Sequence, residues 1–186
     1  MGTKLIRVAL VAALGAAALV AAAPAAAATT TPLSGTQTVV NEKKGIYEMH
    51  GSLVGTWYNT SFVPRYKSAS PFVATGTEKF VGCIDSDRSA ACDAGEPSGT
   101  LKLTFVYWGD YDPKTQALLR ASCVHPIVGG TGSFAKASGV LFMKDTRVGK
   151  TIRTTYHGKL DYGPAAAFRL PASASARPAA ESLTAC

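Results

Sequence analysis

The run Gly129-Gly130-Thr131-Gly132-Ser133-Phe134-Ala135-Lys136-Ala137-Ser138-Gly139 constrains this chain more than any other stretch. Three glycines within four residues permit positive φ or close backbone approach, and the small residues after them leave room for one short helical turn. Val140-Leu141-Phe142-Met143 follows at once as a β-like run, so the segment reads as a corner between strands. Gly130-x-Gly132-x-x-Ala135 formally satisfies a dinucleotide-binding pattern. That chemistry needs a full helix facing the pyrophosphate and a carboxylate about 20 residues on. Gly139 cuts any helix short, and the next acid, Asp145, comes too early and beyond a strand. No Gly-Lys-Ser/Thr closes a phosphate loop either, so nucleotide binding is set aside.

The same residues carry a resemblance. The stretch from Ile127 to Asp145, IVGGTGSFAKASGVLFMKD, resembles the GGTG-x-F-x-x-A-x-G signature of dirigent proteins and allene oxide cyclases. The resemblance implies an all-β fold: a single closed antiparallel barrel of about eight strands with a central cavity, calycin-type, related in shape to lipocalins. It also implies an activity in which the cavity steers cyclisation or coupling of a reactive small molecule, with no cofactor. The signature marks a structural corner and contains no catalytic residue, so none is carried over.

At the start of the chain, Lys4 and Arg7 precede an apolar region from Leu5 to Ala23, and Pro24 and small residues such as Ala26-x-Ala28 follow. A basic, then apolar, then small-residue order is a secretory signal, here taken as residues 1–28. The alanine-rich composition and the cleavage-like end favour a signal over a transmembrane anchor. Without Lys4 and Arg7, 17 of the 19 basic residues remain against 12 acidic ones, a net charge of +5 on residues 29–186. Those basic residues are scattered, with no aromatic-interleaved stripe, so nucleic acid is not expected as a partner; with no second apolar span downstream, neither is a membrane once the signal is cleaved. Cys83, Cys92, Cys123 and Cys186 sit in an exporting context where disulfides persist. Cys83–Cys92 is the local pairing, leaving Cys123–Cys186; the rival joins Cys92 to Cys123.

Along the rest of the chain, residues 29–44 read as a polar lead-in, disordered as far as Gly35, with a first strand over Thr36–Asn41. The barrel domain is 45–162, and 163–186 is an Ala/Pro/Ser-rich tail. Ile46 to Asn59 alternates with period two, Tyr47, Met49, Leu53 and Trp57 sharing a face, and reads as one long bent strand. Ser61–Pro71 reads as a loop, Phe72–Val81 as a strand, and Cys83–Ser98 as a disulfide-closed polar excursion. Asp85, Asp87, Asp93 and Glu96 there lack the turn glycine of an EF-hand, Ala90 standing in its place. Thr100–Trp108, Ala117–His125 (ended by Pro126), Val140–Lys144 and Thr151–Leu160 complete six or seven strands with no ordinary helix. Such a set fits a barrel or a sandwich, and closure would remove exposed edges.

Chemistry-bearing residues are few. His50, His125 and His157 would ligate a metal only if they converged, and parity puts His50 opposite Trp57, so no metal site is expected. Glu48 and Glu78 are the only strand-borne acids for a glycosidase-type pair. Glu78 would have a raised pKa and act as acid or base if buried; an outer ion pair with Lys79, Arg120 or Arg153 is the reading preferred. His125 joins it as a catalytic candidate. Ser61, Ser133 and Ser138 lack a nucleophile elbow, and Cys123, two residues from His125, is expected to be oxidised. Leu53, Trp57, Leu101, Leu103, Phe105 and Tyr107 are the expected ligand-binding residues of an apolar, aromatic interior. The expectation is a secreted barrel that binds a small apolar or phenolic molecule and steers its cyclisation or coupling, an isomerase-like activity. The alternatives are a non-catalytic carrier and a filled barrel acting through its surface or by homo-oligomerisation.

Overall fold

The computed structural model describes residues 28–66, 71–149 and 151–163. The expected signal and the tail lie outside the described residues, apart from their inner boundaries. Eight strands follow one another: β1 (Thr29–Asn41), β2 (Ile46–Gly51), β3 (Leu53–Tyr66), β4 (Phe72–Ile84), β5 (Ser98–Tyr111), β6 (Leu118–Gly132), β7 (Ser138–Val148) and β8 (Thr151–Tyr162). Each pairs antiparallel with the next, and β1 closes on β8 from Thr29–Tyr162 to Gln37–Thr154. The barrel is therefore closed. The one helical segment among the described residues is a 3-10 turn, Glu42–Lys44, held by the Asn41 side chain accepting from the Lys44 N–H.

Several boundaries differ from the sequence reading. Thr29–Gly35 is not a disordered lead-in: it is half of β1, and Leu33 from this stretch is buried. Ile46–Asn59 is two strands folded into a hairpin at Ser52, with Tyr47 opposite Trp57 and Met49 opposite Gly55. Partners across this turn differ by an even number of positions, so the alternation runs through it unbroken and conceals it. The segment read as the Ser61–Pro71 loop instead continues β3 to Tyr66, with a register shift beside Ser61. β6 does not stop at Pro126. The β5–β6 ladder passes from Leu103–Ile127 to Val106–Val124, so the proline, which has no N–H to give, sits where that ladder is interrupted.

The two ends of the cylinder are unlike. At the end where β6 meets β7, the glycine-rich corner forms a turn that sends Phe134 inward, where it is fully buried. A Cβ on Gly130 would come within 2.0 Å of the Thr100 carbonyl oxygen and 2.7 Å of that of Phe134, so only glycine fits beneath the plug. Leu33, Leu53, Ile84, Leu101 and Leu160 pack into one cluster with Phe134, and Trp57, Phe80, Leu103, Leu141 and Tyr156 continue that cluster. The Cys83–Cys92 disulfide, with Cα atoms 5.6 Å apart, ties the 85–97 loop to this end. Toward the other end Phe105 and Met143 are buried but leave a cavity open.

Tyr156 links β8 to the β2–β3 hairpin. Its hydroxyl accepts from the buried Leu53 N–H at 2.9 Å and donates to the His50 carbonyl at 3.2 Å, and Gly35 leaves it room. Burial raises the phenol to about 12, so it remains a donor throughout the physiological range. Tyr156→Phe strands a buried N–H and should cost about 1–3 kcal/mol in urea unfolding; an unchanged midpoint would show that the bond contributes nothing.

Candidate functional site

Because inward positions alternate along every strand, the half of the barrel away from Phe134 gathers inward side chains from all eight strands. They line an open cavity of about 1240 Å³. One wall is aromatic: Phe62 stacks on Phe72 at 6.2 Å and tilts on Phe105 at 5.9 Å, while Phe72 meets Tyr107 and Tyr111 edge-on. The Tyr107 and Tyr111 hydroxyls are hydrogen-bonded at 2.9 Å. Burial, followed by that bond, pushes the Tyr107 phenol well above its ordinary value.

Deep in the cavity lies a buried carboxylate–imidazole contact. Glu78 on β4 and His125 on β6 are 7% and 2% exposed, and Glu78 Oε2 is 2.6 Å from His125 Nδ1. The alternation that turns Phe80 inward on β4 also turns Glu78 inward, and that which buries Cys123 and Ile127 on β6 also buries His125. The outer ion pair preferred from sequence is therefore overturned. Lone charges are seldom buried, but Glu78 is not alone: its partner is 47 residues away, out of reach of any local pattern. Trp57 meets the imidazole edge-on at 5.5 Å and Phe105 lies 6.1 Å away. His125 Nε2 is buried and has no hydrogen-bond partner.

Asn59, opposite Glu78 in the β3–β4 ladder, leaves a second orphan: its Oδ1 is buried and unpartnered, while its side chain hydrogen-bonds the Tyr47 phenol. Burial and then the Glu78 charge push that phenol up, with Asn59 working against them. In the neutral tautomer that donates Nδ1–H to Glu78, Nε2 is an acceptor, as is Asn59 Oδ1. Both residues belong to the cavity lining, with these two atoms buried within it. Asp145 on β7 also lines the cavity. Its carboxylate accepts from Thr154 Oγ1 at 2.5 Å, and burial, outweighing Thr154 and His125, holds its pKa above the usual 3.8.

The expected ligand residues divide. Phe105 and Tyr107 line the cavity, but Leu53, Trp57, Leu101 and Leu103 are 0–1% exposed in the packed half and do not. The three histidines do not converge: His50 is exposed beside Glu48 at 4.0 Å, and His157 is exposed and stacks on Phe142. Glu48 therefore forms no pair with Glu78 across a cleft. Arg120 faces Asp110 at 2.7 Å, not Glu78. In the 85–97 loop Asp85, Asp87 and Glu96 converge, but their oxygens accept from loop N–H groups of Ser86, Ser89, Ala90 and Asp93. Cys92 bonds Cys83, which excludes the Cys92–Cys123 alternative. Cys123 is itself disulfide-bonded, and its pairing with Cys186 lies outside the described residues. Sequence reasoning missed Asn59 and Asp145 as site residues, although inward parity of β3 and β7 points to both.

The fold and site define a closed antiparallel β-barrel, packed at one end and hollow at the other, with a carboxylate–imidazole pair in the hollow. Compared with known proteins, the chain matches no family model, no curated protein and no solved structure.

Removing one member of the Glu78–His125 pair leaves the other buried without a partner. Glu78→Leu or His125→Leu alone should cost about 3–5 kcal/mol in urea unfolding, and the double replacement less than the sum. Strict additivity would show that the pair is not coupled. Asp145 gives a pH signature. Its folded pKa is raised, so its contribution to stability is full below about 3.8 and is lost as pH rises through the folded value. Asp145→Asn should therefore stabilise the protein at pH 8 and do so less at pH 4; an equal effect at both would exclude the burial penalty.

Proposed function

We propose that this chain is a secreted barrel of the dirigent and allene oxide cyclase type, which takes a small apolar or phenolic molecule into its open half. The observation that carries the reading is the pair of orphaned buried acceptors, His125 Nε2 and Asn59 Oδ1, among the residues lining an aromatic-walled cavity. Buried polar atoms without partners are rare, and a ligand hydroxyl would supply the hydrogen that one of these acceptors lacks. A phenol or enol has an O–H for such an acceptor and an apolar body for the wall of Phe62, Phe105 and Tyr107.

In this reading Glu78 holds the imidazole by its Nδ1–H, so that Nε2 draws the hydroxyl proton of the ligand and returns it to the product. The cavity restricts the conformers from which a ring closes or two groups couple. His125 is the catalytic residue and Glu78 positions it. The Cys83–Cys92 disulfide and the basic, apolar, small-residue order at the N-terminus support export; no described helix is long and apolar enough to cross a membrane. A carrier role is the second reading, favoured by a volume above the ~300–1,000 Å³ of most small-molecule sites. The cavity counts against a filled barrel acting through its surface alone.

The test is a fluorescence titration of the full chain with 2-naphthol, an apolar phenol, beside native mass spectrometry of protein purified from its own host. Saturable binding in the micromolar range is expected, weakened about tenfold, or ~1.4 kcal/mol, by either His125→Phe or Asn59→Leu. No saturable binding at millimolar probe, with both variants folded, would overturn the ligand reading. A co-purifying molecule recovered unchanged after incubation would select the carrier over the cyclase.

A further inference from the structure

The open end of the barrel carries a surface that a guest inside the cavity does not use. The β1–β2, β5–β6 and β7–β8 turns all lie at this end, and Val39, Glu42, Gln116, Arg147, Val148 and Ile152 from these hairpins line the opening. Nine large apolar side chains are exposed among the described residues. Five of them, Val39, Val40, Leu119, Val148 and Ile152, stand within two residues of a strand end at the mouth, and none stands so close to one at the packed end. Val39, Val40 and Val148 are 54%, 58% and 57% exposed. A single exposed valine needs no explanation, whereas apolar side chains gathered round one opening mark a contact.

The same three hairpins carry charge. Lys43, Lys44, Lys114, Arg147 and Arg153 are exposed there against Glu42 and Asp112, while Arg120 is matched by Asp110. Arg147 is anchored across to β6, its Nε donating to the Leu118 carbonyl at 2.8 Å. The packed end has the opposite sign: Asp85, Asp87, Asp93, Glu96 and Asp161 outnumber Arg88 and Lys136. Bases scattered along the sequence are thus gathered by turns that all point one way. We propose that the mouth docks on an anionic lipid surface, its apolar side chains entering the headgroup layer and its basic side chains meeting the lipid phosphates. One such signal holds a protein on a bilayer only weakly; apolar burial together with a basic patch holds it stably. A second copy placed mouth to mouth would set like charges against each other, and among the described residues the packed end has no matching apolar ring for a head-to-tail stack. For an apolar guest, this seating removes the water between bilayer and cavity. That consequence rests on the ligand reading above; the docking does not.

The test is flotation of the protein, in the form its own host produces, with vesicles of phosphatidylcholine alone or with about 30% phosphatidylglycerol, at about 50 mM and about 500 mM salt. Binding to the anionic vesicles at low salt is expected, about tenfold weaker on phosphatidylcholine and at high salt. Lys43→Glu with Lys44→Glu, and Val40→Ser with Val148→Ser, should each weaken it about tenfold. Lys102→Glu with Lys159→Glu makes the same change of charge on the outer wall toward the packed end and should leave it within about twofold. Urea midpoints check that each variant is folded. No binding to the anionic vesicles overturns the proposal, as does an equal effect of the two lysine pairs, which makes net charge the cause. Unchanged binding by the folded valine variant removes the apolar seating and overturns it too. Soluble polyglutamate bound as tightly as the vesicles would assign the mouth to an acidic chain and overturn the lipid docking. Vesicle binding by a protein that takes no 2-naphthol supports the docking and traces the failure to the ligand reading.

Discussion

Closure of β1 on β8 is the constraint on which the remainder depends. A sheet with two free edges would expose the backbone groups of Thr29–Gln37 and Thr154–Tyr162; pairing them turns the sheet into a cylinder with an inside and an outside. Once there is an inside, every second residue of each strand must occupy it, polar or not. The two ends then diverge according to what those residues are. Leucines, Trp57, Phe80 and the Phe134 plug fill one half, while Tyr47, Asn59, Glu78, Cys123, His125 and Asp145 fall in the other, where the aromatic wall leaves a cavity open.

Glu78 and His125 are tolerated inside because they meet each other. Desolvating a carboxylate alone costs several kcal/mol, and the short contact with the imidazole offsets this only when the geometry is good. A pair that on balance contributes little to stability, next to two acceptors with no partner, is poorly explained as scaffolding. In the proposed reading the same residues meet a hydroxyl-bearing guest. The neighbouring interruption of the β5–β6 ladder at Pro126 places an irregular part of the wall beside the imidazole.

Much of the fold was legible because it rests on local periodicity. The glycine run marked a corner because Gly130 has no space for a Cβ, and alternation in β5 showed Leu101, Leu103, Phe105 and Tyr107 on one face. What failed to show were events that leave alternation intact or override propensity. The β2–β3 turn at Ser52 keeps parity, the Thr/Pro start of β1 gains its order from pairing with β8, and Pro126 survives in mid-strand where a ladder is broken. At the site, Phe105 and Tyr107 were legible as inward residues. That the inward Leu53 and Trp57 lie in packed core and not in cavity was not, because parity tells which face a residue has and not which end of the barrel.

By itself the sequence determined that this chain is all-β, with a glycine corner, a local disulfide and an inward face of apolar and aromatic residues, since period-two alternation and residue size are properties of neighbours in the chain. Only the tertiary structure decided that the sheet closes, that it is hollow at one end, and that Glu78 and His125 meet there. Those outcomes depend on strand register between residues far apart, and a contact across 47 positions leaves no mark on the residues in between.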